Sequence, residues 1–259
     1  MNYIRAELIK LLKAPFLWIL SSAYIVINLL LFYQYTLNDG ANVIEPLLKN
    51  PVNLYSFFLI MFAIFFNIFF AVLLGCRIVG KDFSDNTIHC VIQSSGRYKS
   101  FAAKIAVIIL VSFVFLCVVV ILGFLLGFVH STDLSQFSVV ELLERFAISF
   151  LSTVLLSLFS MTIAVILKST SKSSIICILL ILSQNFLPYD ISRYLAYLNP
   201  YYYLSVFSDS AFSNLKGLSF VKFGSANSMS AAENVGMLIV FTSVCILVQF
   251  GTYKKREYL

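Results

Sequence analysis

Residues 105–128 read IAVIILVSFVFLCVVVILGFLLGF, 24 consecutive positions without a charge. A helix of that length rises about 36 Å, more than the roughly 30 Å of a bilayer's hydrocarbon core. On either side of it, five further apolar runs are long enough to cross: 16–33, 54–74, 146–167, 174–187 and 235–253. The run 174–187 is the weakest of the six. It carries Gln184 and Asn185 and meets Pro188, so it is either broken there or continues towards Leu198. The expectation is an all-α integral membrane protein: a single transmembrane domain over 1–259, with six transmembrane helices and no soluble domain.

The composition agrees. Of the residues, 60% are hydrophobic and 12% charged, against about a quarter charged in a soluble domain. The net charge of +6 does not point to nucleic acid, because the lysines and arginines sit beside apolar spans, where topology needs them. Five scattered cysteines, Cys76, Cys90, Cys117, Cys177 and Cys245, form no CxxC pair. They are read as small apolar fillers, not as a disulfide framework or a zinc site.

Positive charge sets the direction. The N-terminal segment, the second loop, the fourth loop and the tail hold 13 of the 18 lysines and arginines, and the opposite connections hold 5. The excess marks the cytoplasmic face, which puts both termini in the cytoplasm. The first span is too long for a signal peptide, and no small-residue cleavage site comes after it. Residues 1–14 form an interfacial helix with Ile4, Leu8, Leu11 and Leu12 on one face and Arg5, Lys10 and Lys13 largely off it. It either rests among headgroups, cations towards anionic lipid, or is simply a charged topology anchor.

Catalytic constellations are missing. His89 and His130 are far apart, and there is no HExxH or GxSxG, so neither a zinc-protease nor a serine-hydrolase motif is present. The span interiors are expected to lack ionisable residues, which argues against proton or sodium coupling. Their strongest polar groups include Asn28, Asn67, Gln184 and Asn185, candidates for a pathway. Asn67 is either interhelical glue or part of a substrate path. Gly75-Cys-Arg-Ile-Val-Gly80-Lys81 has P-loop spacing, but Asp82 stands where Ser or Thr must hold magnesium, and the segment leaves a membrane helix, not a strand. It is read as coincidence, so no cofactor is expected on this chain.

The loop 81–100 is the most informative connection. Asp82, Ser84 or Asp85 is positioned to cap a short helix, on which Ile88, Val91 and Ile92 share a face before the turn signal Ser94-Ser95-Gly96. This loop resembles that of permease subunits of type 2 ATP-binding-cassette (ABC) exporters, in which an acidic residue precedes a Gly-Thr pair, apolar residues, a Ser-Pro turn, an Arg, and a Lys opening the third span. The matching residues are Asp82, Asn86-Thr87, Ile88 with Val91 and Ile92, Ser94-Ser95-Gly96, Arg97 and Lys104. Asn86 replaces the Gly, and the turn lacks its Pro. The stretch Glu7–Lys13 is similar to the family's connecting helix, and Asn199-Pro200 to the Asn-Pro after its fifth span.

The resemblance implies a transport subunit, not an enzyme, in the plasma membrane of a bacterium. A separate cytoplasmic ABC ATPase, holding ATP and Mg, would dock on a coupling helix carrying Asp82, Phe83, Asn86, Thr87, Ile88, Val91, Ile92 and Arg97. A second permease chain, identical or paralogous, would complete the pathway, with membrane lipid around it and no nucleic acid. Residues 188–233 would supply short extracellular or re-entrant helices. The small size is similar to compact permeases that export, or give self-immunity against, bacteriocin-like peptides. The 26 Phe and 14 Tyr suit an amphipathic cargo and equally suit lipid-facing filler. The rival reading is a scaffold or sensor that binds a cytoplasmic partner without transport.

Overall fold

The computed structural model describes residues 2–37, 51–85, 87, 97–130, 138–186 and 230–255, and those residues contain helices and no strand. In chain order the helices are α1 (Asn2–Leu12), α2 (Pro15–Leu37), α3 (Pro51–Tyr55), α4 (Phe57–Met61), a π-helical turn (Phe62–Phe66), α5 (Asn67–Ser84), α6 (Arg97–His130), α7 (Val139–Leu167), α8 (Thr170–Phe186) and α9 (Ala231–Lys255). Four of them, α2, α6, α7 and α9, are long and apolar enough to cross a membrane. The other two expected runs are also helical. The first is divided among α3, α4, the π turn and α5, and the second is the shorter helix α8. The expected segment 188–233 and the question of a break at Pro188 fall almost wholly outside the described residues.

Helix α7 is the centre of the bundle. Its apolar window is 67% buried, against 17% for α9. It makes its most extensive pairing with α5, and α6, α8 and α9 also pack on it. Small residues permit the closeness. A Cβ on Gly75 would stand 2.1 Å from the backbone oxygen of Ser157 and 2.1 Å from Ser160 Oγ, so α5 reaches α7 only because residue 75 has no side chain. The P-loop-like spacing therefore has a packing origin: residues 75–81 are helical throughout.

The divided run has local causes. At Ser56 the α3 geometry is interrupted, but Ser56 N–H still donates to Val52 O at 3.0 Å, and Ser56 Oγ donates to the same oxygen at 2.5 Å. At the π turn, Asn67 N–H donates to Phe62 O, five residues back, which inserts an extra residue and rotates the helix beyond it. An aromatic cluster surrounds this distortion. Tyr24 of α2 makes edge contacts with Phe58, Phe62 and Phe66 and donates its hydroxyl to Phe58 O. Phe115 of α6 stacks on Phe70 at 4.3 Å. Buried rings at such angles add to their area burial.

One end of the bundle collects the basic residues. Asp82 near the end of α5 meets Lys10 of α1 and Lys104 near the start of α6. Thr170, opening α8, touches Gly80, and Phe250 near the end of α9 packs on Tyr98 and Phe101. Lys81, Lys99, Lys168 and Lys172 therefore lie at the end that also holds α1. The outward surfaces of α2, α6 and α9 are apolar, with Ile19, Leu125 and Leu247 among the exposed residues, as lipid-facing helices require.

Candidate functional site

Helix α5 does not stop before Asp82, as a capping role would require. It runs to Ser84, and Asp85 takes the C-cap position with its N–H on Lys81 O at 2.9 Å. Asp82 therefore lies in the last helical turn and is buried. What holds it there is a four-residue ion-pair cluster. Lys104, fully buried, donates to Asp82 Oδ2 at 2.5 Å, to Glu7 Oε1 at 2.7 Å and to Ile78 O at 3.1 Å. Lys10 pairs with Asp82 Oδ1 and lies 3.6 Å from Glu7 Oε2. Two ammonium groups and two carboxylates thus neutralise one another, the condition under which charges tolerate burial. The cluster joins α1, α5 and α6.

The expected coupling residues divide accordingly. Asp82 and Phe83 belong to α5, and Thr87 borders a cavity beside α1. Asn86, Ile88, Val91 and Ile92 lie outside the described residues, while Arg97 opens α6, with its side chain outside them. Within the expected 81–100 segment, residues 81–84 belong to α5 and 97–100 to α6.

Lys104 and Arg145 stand one residue before the apolar runs 105–128 and 146–167. Both belong to helices that extend beyond those runs, Lys104 to α6 and Arg145 to α7. Both cations are buried. Helices α6 and α7 begin about two turns before the apolar runs, carrying flanking charges into the bundle. At the end opposite the ion-pair cluster, Arg145 donates to Ser56 Oγ at 2.6 Å and lies 3.7 Å from Glu141 Oε2.

A polar seam runs between α5 and α7. Asn67 Nδ2 donates to Ser152 Oγ at 2.6 Å, and Ser152 Oγ donates to Ser149 O at 2.9 Å. Thr153 Oγ1 lies 2.7 Å from Asn67 Oδ1 and 2.6 Å from Ser149 O, so its one proton serves either acceptor. Further along, Ser157 Oγ donates to Ala71 O at 3.1 Å. On the other side of α7, Gln249 of α9 donates to Thr162 Oγ1 at 2.6 Å. These groups lie between packed helices, which favours the glue reading of Asn67. Asn28 is likewise buried and donates to Tyr24 O one turn back at 2.7 Å. Gln184 and Asn185 are in α8, with side chains outside the described residues. Cys76 and Cys177 share a buried apolar cluster between α5 and α8, the filler role expected of them.

Two cavities accompany these features. A groove of about 600 Å³ between α7 and α9 is mostly apolar, with Glu144 on its wall. A cavity of about 420 Å³ adjoins the ion-pair cluster, lined by residues of α1, α5 and α6 and by Thr87. No group of three or more His, Cys, Asp or Glu able to hold a metal ion occurs among the described residues. Comparison with family models, curated proteins and solved structures finds no significant match.

Proposed function

We propose that the chain is the membrane permease subunit of an ATP-driven ABC exporter, moving an amphipathic cargo outward or clearing it from the membrane. ATP is hydrolysed by a separate subunit, and a second permease chain completes the pathway. The basic end of the bundle faces the cytoplasm, by the positive-inside rule. The divided run and α8 complete six crossings.

The observation that carries this reading is the ion-pair cluster at the foot of the 86–96 loop. The loop joins α5 to α6, and those helices are clamped to each other and to α1 through Asp82, Lys104, Glu7 and Lys10. A partner pushing on the loop would move three helices as one body. The apolar groove with Glu144 on its wall suits a cargo with an apolar body and a cationic group.

The test must spare the clamp. Residues 86–96 are replaced by a Gly/Ser linker of equal length, leaving Asp82 and Lys104 in place. The detergent-solubilised chain is then recovered from its native membrane by affinity. An ATPase subunit should accompany the unaltered chain and be lost from the variant, with membrane insertion and melting temperature unchanged. Retention of the ATPase by the variant would refute the docking assignment. Repeated recovery without any ATPase would favour the scaffold or sensor reading.

A further inference from the structure

The groove between α7 and α9 is apolar along most of its length and charged at one end. Leu155 and Leu238 form its buried floor, and Leu151 and Ile239 stand exposed on its walls. Thr242 and Ser243 also line it, but their hydroxyls donate to Leu238 O at 2.7 Å and Ile239 O at 2.8 Å, on their own helix. Hydroxyls turned back in this way leave that end apolar. Glu144 is the one charged residue on the lining among the described residues, and it is exposed.

The depth of the groove follows from where its residues fall in the spans. Glu144 stands two residues before the apolar run 146–167, and Leu155 lies near the centre of that run. On α9, Val235 opens the run 235–253, and Ser243 lies near its centre. From residue 144 to residue 155 a helix rises about 16 Å, close to half of the roughly 30 Å hydrocarbon core. The groove therefore crosses one leaflet, from the border at Glu144 to the bilayer midplane. That leaflet is the one opposite the basic end of the bundle.

Charge decides the occupant. Arg145, next in the chain, is buried and engaged by Ser56 and Glu141, so Glu141, Glu144 and Arg145 together carry an excess of negative charge. A carboxylate at the edge of hydrocarbon favours a cation beside it. It repels the phosphate of a phospholipid, which sits at the same level, and an uncharged lipid offers it nothing. The volume of about 600 Å³ is that of a site for one small molecule.

We infer that the groove binds a single-chain cationic amphiphile. Its primary ammonium rests on Glu144, and its alkyl chain lies over Leu155 and Leu238, between Leu151 and Ile239, down to the midplane. Such a molecule enters sideways from one leaflet, not from water. The binding stands whatever partner the chain has; its meaning as cargo rests on the exporter reading.

The full-length chain is placed in phosphatidylcholine nanodiscs with one of three probes of equal chain length, tetradecylammonium, tetradecanol or tetradecyl sulfate, each carrying a mid-chain diazirine. Labelled peptides are mapped by mass spectrometry after illumination. The ammonium should label residues 144–155 and 235–243 saturably, with an affinity about tenfold above that of the alcohol, the least that one charge-assisted hydrogen bond produces. That preference should vanish in Glu144→Gln, and Leu151→Trp, which fills the groove, should abolish saturable labelling. Unchanged melting verifies the fold of each variant. Equal affinity for ammonium and alcohol, a preference for the sulfate, or an unaltered preference in Glu144→Gln overturns the inference. So does an absence of groove labelling with Ile239→Cys captured as a disulfide-linked dimer, which would give the groove to a second copy of the chain. Recovery of an ATPase subunit without this labelling removes the site and leaves the exporter reading; labelling without an ATPase does the reverse.

Discussion

At the residue scale, Gly75 and Asn67 make different demands on the same helix pair. Gly75→Ala sets a methyl group 2.1 Å from a backbone oxygen. Backbone cannot swing aside as a side chain can, so α5 and α7 must separate, at about 1–3 kcal/mol. A lowered melting temperature in detergent is the expected result, and an unchanged one would deny the close approach. Asn67→Ala should cost less. Its partners Ser152 and Thr153 each retain Ser149 O as an acceptor, so no hydroxyl is stranded. The loss should be near the average of about 0.6 kcal/mol for a hydrogen bond between membrane helices, visible as a smaller fall in the same melting experiment. Asn67 was legible in the sequence because an amide among apolar residues draws attention. Gly75 was not, because its spacing from Gly80 and Lys81 suggested a phosphate loop, and only the serines 82 and 85 residues further on explain it.

At the element scale, the apolar runs were legible because hydrophobicity over 20 residues reports the solvent directly. Helix ends were less so. Lys104 and Arg145 read as topology markers at the borders of spans, yet both are inside helices and buried. What buries Lys104 is Glu7, 97 residues earlier, and no local pattern encodes such a pairing. The division of the 54–74 run was illegible for a similar reason: a π turn keeps the apolar composition and alters only the register. The clamp yields a test at this scale. Asp82→Asn leaves Lys104 with Glu7, and Lys104→Met leaves Asp82 with Lys10. Each removes one hydrogen-bonded charge, so each should lower stability by about 2 kcal/mol. The double variant should lose less than the sum, because the stranded charge is removed along with its partner. A double-mutant cycle read by thermal melting checks it, and strict additivity would mean the four groups do not act together.

At the scale of the whole molecule, α1, the end of α5 and the end of α9 meet at one end, while Ser56 and Arg145 meet at the other. On the proposed orientation, a cysteine at Arg5 should resist a membrane-impermeant maleimide in intact cells and react after permeabilisation. A cysteine at exposed Val140 should react in both. Reaction of Arg5→Cys in intact cells would reverse the orientation.

The central position of α7 also bears on biogenesis. A helix whose buried face carries the small residues Ser149, Ser152, Thr153, Ser157 and Ser160 offers a surface on which another helix packs closely, and Ser157 Oγ donates across it to Ala71 O of α5. Its best partner, α5, precedes it in the chain and leaves the ribosome first. The order of synthesis therefore gives α7 a waiting surface as it enters the bilayer, whereas α9, touching the bundle along a narrow strip, can be added last.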